Sequence, residues 1–238
     1  MKNTILFFVI ACLFTSCKNN NTTNADTASS TSENSDKSVA EKIADAVTGE
    51  RYGIKAAIVE SEMNMEKMGK VTTTKYFDDY GKKELTKSAT AISMMGKEIN
   101  SVSYSMMKDD YIYIWQEGAK DGSKMKMDAS KFDPKDANFD KLTQEMKDKL
   151  KIKEEGSEDI LGKTCKVISF TLDDERAKGA TGKTAVWKGI ALKSEFGMLG
   201  HTMLMEAKKL DENPSFSANQ FELPADVTFK ELNIPAKH

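Results

Sequence analysis

The chain has 238 residues, of which 30% are charged and 39% hydrophobic, and a formal net charge of -2. That balance suits one medium-sized domain with a tail. It offers no basic face that could neutralise phosphates, so nucleic acid is not an expected partner. No run of about 18 apolar residues occurs, so no transmembrane helix is expected.

Lys2 precedes the apolar run Ile5 to Phe14, which has the length and charge of a signal-peptide core. It ends Phe14-Thr15-Ser16-Cys17, small residues followed by a cysteine. This resembles the lipobox of bacterial lipoproteins, and the resemblance implies a signal peptide over 1–16 and acylation of Cys17. Several acyl chains hold a protein on a membrane far more firmly than one. Lys18 stands where an aspartate would retain a lipoprotein at the inner membrane, so the outer membrane is expected, on its periplasmic side. With Cys12 removed and Cys17 acylated, Cys165 has no partner in the chain. It reads as a small buried hydrophobe.

Residues 17–36 comprise the lipidated cysteine and a polar, low-complexity tether too poor in apolar residues to fold. The domain is assigned to 37–238. Ser38-Val39-Ala40-Glu41 is a capping box, and Val39, Ile43 and Val47 recur at helical spacing up to Gly49. From Tyr52 the period becomes two. Strands are expected from Tyr52 to Ile58, Val71 to Phe77, Glu84 to Ala91, Asn100 to Met106, Tyr111 to Trp115 and around Met125 and Met127. Asp133-Pro134 then opens a second helix with the stripe Phe139, Leu142, Met146, Leu150. Strands resume within Gly162 to Phe196 and from Thr202 to Leu210, and a last one covers Val227 to Leu232. The reading is α+β: about ten or eleven antiparallel strands in a strongly curved, open sheet covered by helices.

The order of lipobox, tether, helix, strands and helix is followed by Gly162-Lys163-Thr164-Cys165-Lys166-Val167, Val186-Trp187, Gly189 to Lys193 and Phe221-Glu222-Leu223-Pro224. Together these resemble the LolA/LppX-like half-barrel proteins of the bacterial envelope, in particular small Bacteroidota-type lipoproteins of that fold. The resemblance implies a bent sheet around an apolar cavity and a ligand such as a lipid or a lipidated protein. It transfers no specific site residue.

Ala177 to Thr184 matches a relaxed phosphate loop, but that chemistry needs a following helix, and Ala185-Val186-Trp187-Lys188 reads as a strand, so no nucleotide is expected. Met63-Asn64-Met65, Met125-Lys126-Met127 and Met203-Leu204-Met205 place thioethers on one side of a strand. Plain core, cavity lining and Cu(I) binding all fit such a pattern. His201 has no companion for a zinc set, and no nucleophile constellation is visible. No metal, cofactor or enzymatic activity is therefore expected. The residues expected to line a ligand cavity are Tyr104, Tyr111, Tyr113, Trp115, Met125, Met127 and Trp187. An alternative is a structural or interaction lipoprotein whose core is filled by its own side chains; a further one is a methionine-rich copper binder.

Overall fold

The computed structural model describes residues 50–65, 69–94, 97–108, 111–126, 151–172, 180–198 and 201–232. These form one open, curved sheet of twelve strands. In chain order they are β1 Ala57–Met65, β2 Gly69–Asp78, β3 Lys83–Met94, β4 Lys97–Lys108, β5 Tyr111–Gln116, β6 Asp121–Lys126, β7 Lys153–Ile160, β8 Lys163–Leu172, β9 Ala180–Trp187, β10 Ile190–Met198, β11 His201–Asp211 and β12 Thr228–Glu231. The spatial order is β12-β6-β5-β4-β3-β2-β1-β11-β10-β9-β8-β7. Two meanders, β1–β6 and β7–β11, thus join where β11 pairs with β1.

The α+β, helix-covered reading is corrected: the described residues contain no α-helix, only strands and a 3-10 turn at Asp79–Gly81. Both helices expected from the sequence, Ser38 to Val47 and 134–150, lie outside the described residues. The long curved antiparallel sheet is present. It has twelve strands because Lys153–Ile160, whose charged sequence hides a strand, adds an edge. Residues 52–56 lie before β1, although they alternate in the sequence.

Local chemistry explains the meanders. The strands are rich in Thr, Val, Ile and Tyr, which fit a pleated surface. Leu161-Gly162 and Lys188-Gly189 link their strands through two residues with φ of 52° and 72°, and 48° and 80°. Two positive φ values in a two-residue loop match the twist of the flanking strands, and glycine carries the second at little cost. The glycines of the family-like motif are therefore hairpin residues.

The buried core gathers Ala57, Val59, Phe77, Ile160, Cys165, Val167, Ala185, Ile190, Leu192 and Ala207, with Tyr52 laid against it. Cys165 is fully buried; burial pushes its thiol above the ordinary value, and Sγ donates to the Lys163 carbonyl. It behaves as the small hydrophobe expected. Thr184 and Ser194, both buried, satisfy each other at 3.3 Å. The segment before β1 is clamped by charge. Arg51 donates through Nε and a terminal nitrogen to the Gly81 carbonyl and pairs with Glu84 at 2.9 Å. Glu84 also accepts from the Tyr52 hydroxyl at 2.6 Å, while Tyr52 packs on Phe77 at 4.1 Å between ring centres.

Candidate functional site

Continuous register from β1 to β6 assigns every side chain to one of two faces. Tyr104 pairs with Trp115, and Tyr113 pairs with Met106, so Tyr104, Tyr111, Tyr113 and Trp115 share a face. There Tyr104 and Trp115 stack at 5.2 Å with planes 11° apart. Phe229 of β12 stands edge-on to Tyr113 at 5.2 Å and to Trp115 at 5.8 Å. Such pairs contribute about 0.5–1.5 kcal/mol each beyond area burial. Lys87 and Lys124 lie over the Tyr104 and Tyr111 rings. The Tyr104 hydroxyl donates to Glu117 at 2.9 Å; partial burial first, and that bond second, raise its pKa.

Four of the expected residues thus come together as an aromatic shelf, and the others do not join it. Met125 pairs with Ile112 and so lies on the opposite face. Met127 lies outside the described residues. Trp187 sits on β9, six strands from β4, with the Lys163 and Lys188 ammonium groups at 4.8 and 4.7 Å from its ring centre. Phe229 was not legible as a member. Its place depends on Gly122, where a Cβ would come within 2.6 Å of the ring.

The opposite face carries the methionines. Met107, Ile112 and Met125 form one row across β4, β5 and β6, with Ile114 one step along. Met63 pairs with both Val71 and Met205, and Met203 pairs with Phe196. Following the register across β1 and β11, Met63, Met107, Met125, Met203 and Met205 all share this face, and all are half-buried. On it, Phe170 lies over Gly182, 6.2 Å from Phe196 between ring centres. The sequence placed MxM pairs on one side of single strands; only register shows that separate pairs converge.

Open grooves run over the described residues. One, of about 820 Å³, is lined by Lys151, Lys153, Glu155, Lys183 and Glu195, by serine and threonine residues, and by Ile152 and Phe170. A second, of about 580 Å³, is lined by small and polar residues including Thr72, Ala89, Thr90 and Ser101. A third, of about 330 Å³, runs past Glu158, Lys193 and Glu206. None is lined by the aromatic shelf, and none is the apolar cavity that the family resemblance implies. Among the described residues no cluster of three metal-ligating His, Cys, Asp or Glu side chains occurs. The phosphate-loop candidate resolves as strand from Ala180 onward, which removes the helix N-terminus such chemistry needs.

No protein-family model matches the chain, and no curated protein matches it. Among solved structures it is similar to an uncharacterized conserved protein from Thermus thermophilus, with 8% identity and a TM-score of 0.47 over 82% of this chain and 100% of that one. It is also similar to a chain of the Pseudomonas aeruginosa MucA/MucB complex, with 10% identity and a TM-score of 0.44 over 80% of this chain and 63% of that one. LprF from Mycobacterium bovis is similar at 11% identity and a TM-score of 0.34, over 76% and 96% of the two chains.

Proposed function

We propose that this chain is a non-catalytic binding protein of the bacterial envelope, held on the periplasmic side of the outer membrane through lipidated Cys17. Its methionine face would take an acyl chain or a lipidated peptide. The observation that supports this is the convergence of five half-buried methionines with Ile112, Ile114 and Phe196 on one face of an open sheet. Methionine is unbranched and polarizable, so such a surface adapts to flexible chains without a fixed pocket shape. The aromatic shelf is already occupied by Phe229, and so serves stability rather than ligand binding.

Native mass spectrometry of the chain from Ser38 onward, purified without detergent and offered palmitate, tests this. A one-to-one adduct that Ile112→Glu abolishes is the expected outcome. A bare mass at every palmitate concentration would overturn the binding reading and leave a self-filled interaction lipoprotein. The pairing of Met63 with Met205, two residues from Met203, favours copper as a second reading. Stoichiometric Cu(I) uptake without palmitate uptake would move the assignment there.

A further inference from the structure

We propose that β12 is an exchangeable strand, and that Thr228–Glu231 of a second copy of this chain can fill the seat on β6 that its own strand fills in the single chain. The site thus formed would be incomplete without the partner copy's Phe229. This does not depend on what the methionine face binds.

The seat is built and specific. β12 is the one parallel strand in the described sheet and pairs only Thr228 to Glu231 with Asp121 to Lys124. Phe229 lies opposite Gly122, whose missing side chain leaves the space that the ring fills, with Tyr113 and Trp115 as walls. The Thr228 amide donates to the Lys120 carbonyl and the Leu232 amide to the Lys124 carbonyl, each at 2.8 Å, which fixes the register. Any occupant must be extended, run parallel to β6 and carry an aromatic ring opposite Gly122. A second copy satisfies all three by identity of sequence.

The hold on β12 is local. Its flanking ion pairs, Lys120–Asp226, Lys230–Asp121 and Lys108–Glu222, are mostly exposed, and exposed pairs contribute little. Parallel pairing over four residues is weaker than the antiparallel ladders elsewhere. β11 and β12 are separated in the sheet by six strands, and residues 212–227 make the connection. Sixteen residues reach at most about 55 Å, against roughly 34 Å for seven strand spacings. The connection therefore has slack, and it carries Pro214 and Pro224 close to its two ends. Exchange keeps every contact of the seat and changes only which connection closes it. The own strand competes with an effective concentration on the order of millimolar. Dilute chains stay closed, and exchange becomes comparable when copies crowd to that level.

The test uses the full chain with Cys12→Ser, Cys17→Ser and Cys165→Ala, so that no native thiol competes, and carrying Asp121→Cys and Thr228→Cys, paired positions whose disulfide reports which strand sits on which β6. The chain is unfolded, refolded at a set concentration and then oxidised. The interchain fraction is expected to rise from about one part in a thousand at micromolar to about half at millimolar. A disulfide that stays within single chains at millimolar overturns the proposal, including where dimers form by other contacts. A second arm co-refolds Gly122→Val, which blocks its own seat, with Phe229→Ala, which lacks the ring. Heterodimers in excess of either homodimer support exchange; a statistical mixture or only monomers counts against it.

Discussion

The two ends of strands β1 to β4 share a ladder but are built by opposite rules. At the end near the Asp79–Gly81 turn, Ala57, Phe77, Leu85 and Met106 are buried on both faces, and Arg51, Tyr52 and Glu84 lock the entering chain onto the turn. At the far end, Glu62, Lys70, Thr72, Ala89, Ala91 and Asn100 are half-buried or exposed, and a 580 Å³ groove opens over all of these but Glu62. The Arg51–Glu84 pair is desolvated, with Arg51 only 4% exposed, whereas Lys70–Glu62 stands in solvent at 45% and 30%. Strand pairing alone therefore does not distribute stability along a sheet. What covers each end decides it, and the loosely covered end has fewer buried contacts to hold it.

The sharpest way to break this comparison is to remove one acid from each end. Glu84→Ala removes the carboxylate that pairs with buried Arg51 and accepts from Tyr52, and should cost about 3 kcal/mol in urea unfolding. Equal losses at Glu84 and Glu62 would show that the two ends are held alike. Gly182→Ala probes the same contrast in the other meander. Its Cβ would fall 2.1 Å from the Phe170 ring, and forcing that ring aside should lower stability by about 1–3 kcal/mol.

pH isolates the clamp without mutation. Burial opposes the Glu84 charge, but Lys75 and Arg51 outweigh it and hold the carboxyl below its ordinary value. A depressed acid favours the folded state above its unfolded pKa, so this contribution is present at neutral pH and is lost as pH falls through the folded value. Tyr52 is displaced the other way. Burial first, then the Glu84 charge, push its hydroxyl from 10.0 to about 12. Its contribution is complete below pH 10 and disappears as pH climbs toward 12, on the order of 3 kcal/mol. Chemical denaturation across that range should show the loss, and Tyr52→Phe should flatten it. The smallest effect belongs to the open end, where Lys70→Ala should change stability by less than about 1 kcal/mol and its measurement calibrates the rest.

How far the sequence carried can be followed residue by residue. Period-two alternation located most strands. β7 was not among them, because an edge strand faces solvent on one side and Lys153–Ile160 carries charge where a central strand would carry valine. The shelf was half legible. Tyr111, Tyr113 and Trp115 sit two apart, so one strand sufficed to group them, and Tyr104 came from the adjacent expected strand Asn100 to Met106. Met125 was placed with them wrongly, since its face follows from the pairing with Ile112 and not from its own strand. The helix cover implied by the resemblance to half-barrel proteins is absent from the described residues, while the bent antiparallel sheet it also implied is there.

Local chemistry in the chain was enough to set the strand pattern, the glycine hairpins and the burial of Cys165, because each depends on neighbours a few residues away. The tertiary structure alone decided that β11 closes onto β1, that β12 returns in parallel to β6, and that methionines from β1, β4, β6 and β11 share a face. Those outcomes depend on register between segments up to about 150 residues apart. A one-residue slip there would send every side chain of the shifted strand to the other face.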